Sequence, residues 1–98
     1  MLIKIIRAQR DIVAICDSDL LGKKFEEEKF QLDLTGNFFK GEETSEEKAI
    51  KIIKEMSKED ASFNIVGENS INASIKAGII SKQGIKKIKG IPFALVLL

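Results

Sequence analysis

The residues of this chain best suited to chemistry are lysines and backbone amides. Gly84-Ile85-Lys86-Lys87-Ile88-Lys89-Gly90 is a basic run held between two glycines. Read as an extended strand, it puts Lys87 and Lys89 on one face and Ile88 on the other. A row of ammonium groups suits phosphate oxygens, and Arg7, Arg10, Lys23 and Lys24 extend that footprint if the fold brings them to it. The plainer role is a solvated edge strand whose lysines keep other chains from pairing with it. A second candidate is Gly67-Glu68-Asn69-Ser70-Ile71, a glycine turn that opens into a helix. Free N–H groups at Gly67, Asn69 and Ser70 can hold a phosphate or carboxylate, although Glu68 in the same turn repels one. The plainer role here is a capped helix whose donors are satisfied within the chain. A third candidate is the pair Asp17 and Asp19, which can hold a divalent cation with phosphate. Otherwise Asp17 caps a single helical turn and Asp19 faces water.

The missing residue types are as informative. There is no histidine, so the commonest general base, the usual catalytic triads and most zinc sites are excluded. Cys16 is the single cysteine, too few for a CxxC motif or an intrachain disulfide. Neither GxxxxGK[ST] nor GxGxxG occurs. The expectation is a non-catalytic protein, with no catalytic residue, no metal ligand set and no cofactor assigned. With six Phe and no Tyr or Trp, base stacking would fall to Phe38 or Phe39, residues equally suited to a core.

A chain of 98 residues holds one domain, and 44% hydrophobic with 32% charged residues is the balance of a soluble globular protein. Its Lys- and Glu-rich charge resembles the ion-pair networks of thermophile surfaces. The lone cysteine fits a reducing compartment. Lys4, Arg7 and Arg10 interrupt the apolar N-terminus, so it has no signal-peptide core. The run Ile91 to Leu98 is far shorter than the roughly 20 apolar residues that span a bilayer. A cytoplasmic protein without a membrane partner is expected. Net charge is +1, but it is unevenly spread: residues 1–24 carry +2, residues 25–60 carry −5 and residues 61–98 carry +4. If the two ends lie together, the molecule has a basic face and an acidic face.

The elements that must position these groups follow from periodicity and punctuation. Leu2–Arg7 and Asp11–Cys16 read as a hairpin across Ala8-Gln9-Arg10, with Cys16 a buried small side chain. Asp17 to Gly22 reads as one helical turn, and Glu26-Glu27-Glu28 as a solvated acidic run. Lys29–Leu34 alternates as a strand, with Phe30, Leu32 and Leu34 on one side. Thr44 with Glu47 forms a capping box for a helix to about Lys58, whose stripe is Ala49, Ile52, Ile53 and Met56. Phe63–Val66 is a short buried strand. Asn69 or Ser70 caps the following helix, and Gly78 ends it. Ile91–Leu98, apolar on both faces, reads as a central strand. The fold class expected is α+β, a mostly antiparallel sheet of four or five strands with two helices packed on it, its C-terminal strand near the N-terminal hairpin.

At Asn64-Ile65-Val66-Gly67-Glu68 the chain resembles a family of small uncharacterised archaeal proteins, domain of unknown function 424. Cys16-Asp17 followed by Leu20-Leu21-Gly22-Lys23, the Gly78 helix stop and Gly90-Ile91-Pro92 carry the same resemblance across nearly the whole chain. Phe93 stands where that family often has a polar residue. The resemblance implies a cytosolic archaeal α+β domain without an established activity, and it favours a setting in translation.

The resulting functional expectation is a module that binds RNA or ribosomal proteins through Arg7, Arg10, Lys23, Lys24, Lys86, Lys87 and Lys89. The alternative is a protein-interaction module, a homodimer included, using Phe38, Phe39 or an exposed edge of Ile91–Leu98. A third reading is a small-ligand or phosphate-binding enzyme on the Gly67 turn and Asp17.

Overall fold

Leu2–Ile6 (β1) and Ile12–Cys16 (β2) are rich in Ile and Val and pair antiparallel from Leu2↔Cys16 to Ile6↔Ile12. Their turn lacks glycine and is closed by Asp11, which accepts from the Ala8 amide and from the Arg7 guanidinium at 2.6 Å. The structure, a computed structural model, describes residues 1–97. Beyond β2 lie a 3-10 turn over Ser18–Leu20, then Lys24–Glu27 (β3) and Phe30–Asp33 (β4), which form a separate antiparallel pair. Glu42–Glu43 (β5) adds to the outer edge of β1. Helix α1 spans Glu46–Ser57, followed by Ser62–Val66 (β6), helix α2 over Glu68–Lys76, Lys86–Ile88 (β7) and Ile91–Val96 (β8).

The main sheet has six strands in the order β5-β1-β2-β6-β8-β7. It is mixed, and larger than the four or five mostly antiparallel strands expected from the sequence. The reason is the β2–β6 pair, which is parallel. A chain leaving the end of β2 must travel back the length of the sheet before it can start β6 beside it, and the segment containing α1 makes that crossover. β8 lies between β6 and β7, so it is an interior strand as expected. It is not the exposed edge that was one of the surfaces offered for protein interaction, and β6 separates it from the hairpin. Leu98, the last residue of that run, lies outside the described residues.

Both faces of the sheet are covered. On one, Val13, Ile15, Phe63, Ile65 and Ala94 pack against Ala49, Ile53 and Met56 of α1 and Ile71 and Ala73 of α2. On the other, Leu2, Ala14, Cys16 and Val66 lie under Leu20, Leu34 and Phe39. Two-sided burial is why β2 reads as a continuous apolar run without alternation.

Several local expectations are corrected. The cap of α1 is Ser45, whose hydroxyl accepts from the Lys48 amide at 3.2 Å. Thr44 is buried one residue earlier with its hydroxyl on the Glu42 carbonyl, because its amide is held by the Met1 carbonyl just past the end of β5. Glu26 and Glu27 belong to β3, where Phe25 turns inward beside Leu32. The ion pairs among the described residues share no member, so the expected network does not form.

Gly41 is where the β1–β5 pairing stops. A Cβ at this position would lie 2.2 Å from the Ile3 carbonyl oxygen. Gly41→Ala is therefore expected to cost about 2 kcal/mol in urea unfolding, by forcing backbone apart. Gly84→Ala, where a Cβ meets nothing within 4 Å, should stay within about 0.5 kcal/mol of the parent.

Candidate functional site

At the C-terminal ends of β2 and β6 the chain supplies its own anion to a helix. The Asp17 amide donates to the Val66 carbonyl at 3.0 Å, which sets its carboxylate against the start of α2. One carboxylate oxygen, Oδ2, accepts from the Asn69 amide at 3.1 Å. The other, Oδ1, accepts from the Ser70 amide and the Ser70 hydroxyl, both at 2.8 Å. Asp17 and Ser70 are buried. Negative charge at this end of a helix is favoured by the dipole and by the unpaired N–H groups. Gly67 makes the approach feasible: its φ is 108°, and a Cβ would sit 2.3 Å from the Asp17 Cγ. The Gly67 amide in turn donates to the Pro92 carbonyl at 2.8 Å, binding the turn to the start of β8.

Of the expected donors, the Asn69 and Ser70 amides meet on one anion, but that anion is Asp17, and the Gly67 amide is turned away to the Pro92 carbonyl. The cap of α2 is neither the Asn69 nor the Ser70 side chain, and Asp17 makes no side-chain cap to its own 3-10 turn. An incoming phosphate would have to displace Asp17. It would also meet Asp19 and Glu68, which line the adjoining cavity of about 150 Å³. Next to it, burial and then the Asp17 charge push the Cys16 thiol up to about 11, so it stays protonated at neutral pH.

The basic residues do not form one footprint. Lys86 is level with Phe93, and Phe93 with Val66 at the C-terminal end of β6. Arg7 and Arg10 flank the β1–β2 turn at the other end of the sheet. The register separates the two groups by about 13 Å along the strands and about 14 Å across them. Arg7 is also committed to Asp11, whose carboxyl is held below its usual range by the Ala8 amide and the Arg7 guanidinium. Lys24 is ion-paired with Glu26 at 3.3 Å. It and Lys23 lie at the end of β3 away from Glu27, about 10 Å along the strand.

Lys86 and Lys87, on opposite faces of the edge strand β7, and Lys89 in the turn after it are exposed along one edge, with no ion pair among the described residues. The expected sharing of a face by Lys87 and Lys89 is not found. Lys89 has φ 52° and belongs to the turn with Gly90, so the strand ends at buried Ile88. The Lys89 amide donates to Glu27 Oε1 at 3.1 Å, tying the β3–β4 hairpin to this edge. Across from Glu27 in that hairpin is Phe30, which is 66% exposed. Alternation had placed Phe30 inward with Leu32 and Leu34. It does share their side of the hairpin, but it sits at the tip, where nothing covers it. Its position just after Glu28-Lys29, the hairpin turn, was the available signal. Of the aromatic pair singled out in the sequence, Phe39 is buried and Phe38 is 40% exposed, in edge contact with Phe39 at 5.0 Å between ring centres.

A mixed sheet with two helices on one face and a small hairpin over the other defines a small α+β protein. The chain belongs to the family described as Protein of unknown function (DUF424), which it matches over residues 6–98. It is similar to the crystal structure of an uncharacterized conserved protein from the archaeon Methanopyrus kandleri, at 25% sequence identity and a TM-score of 0.86 over 98% of this chain and 90% of that one. No curated protein matches it.

Removing the Asp17 carboxylate leaves two amides at the start of α2 without their acceptor. Asp17→Ala is expected to lower stability by about 2–3 kcal/mol in urea unfolding. Added formate should recover part of that loss by occupying the vacated position, while leaving the parent protein's stability unchanged.

Proposed function

We propose that this protein is a non-catalytic module that binds RNA, or an RNA-containing particle such as the ribosome, through the β7 edge. The observation that carries the reading is the row of three exposed lysines along one edge, Lys86, Lys87 and Lys89, with no ion pair among the described residues, tied through Glu27 to the hairpin tip that bears the exposed ring of Phe30. Ammonium groups neutralise phosphates without regard to sequence, and an exposed ring offers a stacking surface to an unpaired base. Single-stranded RNA supplies both partners, which a duplex with its bases stacked inside does not. Glu27, whose Oε1 accepts the Lys89 amide, keeps its negative charge at this edge, but one carboxylate against three ammonium groups leaves it basic. Arg7 and Arg10 fall outside this surface. The chemistry of the Gly67 turn offers little to the enzymatic reading, because its donors are engaged by Asp17.

Self-association is a second reading, favoured by Leu95 and Leu97, which are 61% and 70% exposed. A mass that stays monomeric by light scattering as concentration rises would end it.

The RNA reading is tested by fluorescence anisotropy with a labelled twelve-nucleotide oligouridylate. Three phosphate contacts predict a log–log salt slope of about −2. Reversing Lys86, Lys87 and Lys89 to Glu should weaken binding at least tenfold. Phe30→Ala should cost about 1–3 kcal/mol of affinity. Arg7→Ala and Arg10→Ala should leave it unchanged. Salt-independent binding, or none at low salt, would overturn the proposal.

A further inference from the structure

The opposite edge of the sheet carries an unfilled groove. It has a volume of about 640 Å³ and runs between the outer edge of β1, the Lys40–Glu42 segment and the flank of α1. It exists because β5 is too short. β5 pairs only with Leu2 and Ile3, and Gly41, the residue before it, lies outside the ladder with no room for a side chain against the Ile3 carbonyl. The backbone groups that face this edge follow from the register. Met1 and Thr44 exchange hydrogen bonds, the Thr44 amide donating to the Met1 carbonyl at 2.8 Å and the Met1 amino group to the Thr44 carbonyl at 3.3 Å. In an antiparallel ladder the outward-facing residues recur at every second position, so Ile3 and then Ile5 face the same way. Ile3 is paired with Glu42, whereas Ile5 lies beyond the last pair.

An unpaired strand edge above an apolar groove is what an extended peptide needs in order to add as another strand. The floor of the groove is Ile5 and Ile52, suited to the side chains at alternate positions of such a peptide. Its rim carries Lys4, Lys40 and Lys48 against a single carboxylate, Glu42. The Lys4 ammonium donates to the Asn37 carbonyl, while Lys40 and Lys48 are exposed and form no ion pair among the described residues. A second copy of this chain offering its own β1 edge would bring like charges together, so the charge favours a different occupant.

We propose that the groove binds an acidic peptide in extended conformation, added as a strand to β1 at Ile5, with apolar side chains on Ile5 and Ile52 and carboxylates on Lys40 and Lys48. This site is independent of the β7 edge. The lysines select the charge of the peptide, and the backbone pairing selects its conformation.

The test uses the full chain and a randomised nine-residue peptide library displayed on phage. Selection should enrich sequences that alternate apolar residues with Asp or Glu. A synthetic peptide of the enriched sequence should bind the K40E/K48E variant at least about tenfold more weakly. It should also slow hydrogen exchange at the Ile5 amide of the parent protein. Both substitutions lie on exposed side chains; K40Q/K48Q, with an intermediate loss of affinity, serves if the charge-reversed variant melts early. No enriched sequence, enriched sequences that bind the charge-reversed variant equally well, or unchanged exchange at Ile5 would each overturn the proposal. Oligouridylate binding, measured on the same variants, should be unaffected, so the two edges fail or succeed separately.

Discussion

The carboxylate of Asp17 is the constraint on which the rest of the arrangement depends. It sits where β2 ends, accepts three hydrogen bonds from the first turn of α2, and requires a glycine at position 67 to leave it room. Hydrogen bonds to a charged acceptor are stronger than neutral ones, and here the donors are N–H groups that a helix start would otherwise leave open. The same turn is bound to β8 through the Gly67 amide and to β2 through the Asp17 amide. Three neighbouring strands and a helix are therefore aligned at one carboxylate. The parallel β2–β6 pair, whose partners are far apart in the chain, gains a local lock at the end where both strands turn away from the sheet.

That lock also decides where recognition can take place. A glycine turn entering a helix is a ready anion site, but this one is filled from within, and Asp19 and Glu68 lie beside it. Carboxylates there repel the ligands that the backbone would otherwise attract. The two edges of the sheet differ from each other. β7 is short, basic and ended by a turn with positive φ at Lys89 and Gly90, which discourages further strand pairing while leaving charge on display. β1 is capped for two residues by β5 and then left open above a groove.

Much of this was legible because it is local. The β1–β2 hairpin, the buried strand Phe63–Val66 (observed from Ser62), the stripe of α1 and the glycine stops all follow from patterns within a few residues of one another. What escaped is non-local. The order of strands gives β2 a parallel neighbour that no short-range signal announces, and the partner of the α2 amides lies 52 positions upstream. The acidic run at Glu26–Glu28 looked like solvated coil because the outward side of a small hairpin is as polar as a loop. Phe30 obeyed its alternation and was still exposed, since alternation gives the side of a strand but not whether anything covers that side. The basic segments form one footprint only if the chain ends meet. The ends do enter the same sheet, but Arg7 and Arg10 lie at one end of the strands and Lys86 at the other.

The geometry of the two edges bears on how the proposed activities relate. β1 and β7 are separated by β2, β6 and β8, about 19 Å at the usual strand spacing. A ligand on one edge therefore need not touch a ligand on the other, and their charges are complementary to different surfaces. A polyanion at β7 and an acidic peptide at β1 would repel one another only weakly, because that separation exceeds the screening length of about 8 Å at physiological salt. A rigid sheet with its central strands buried on both faces is suited to hold two such partners at a fixed distance.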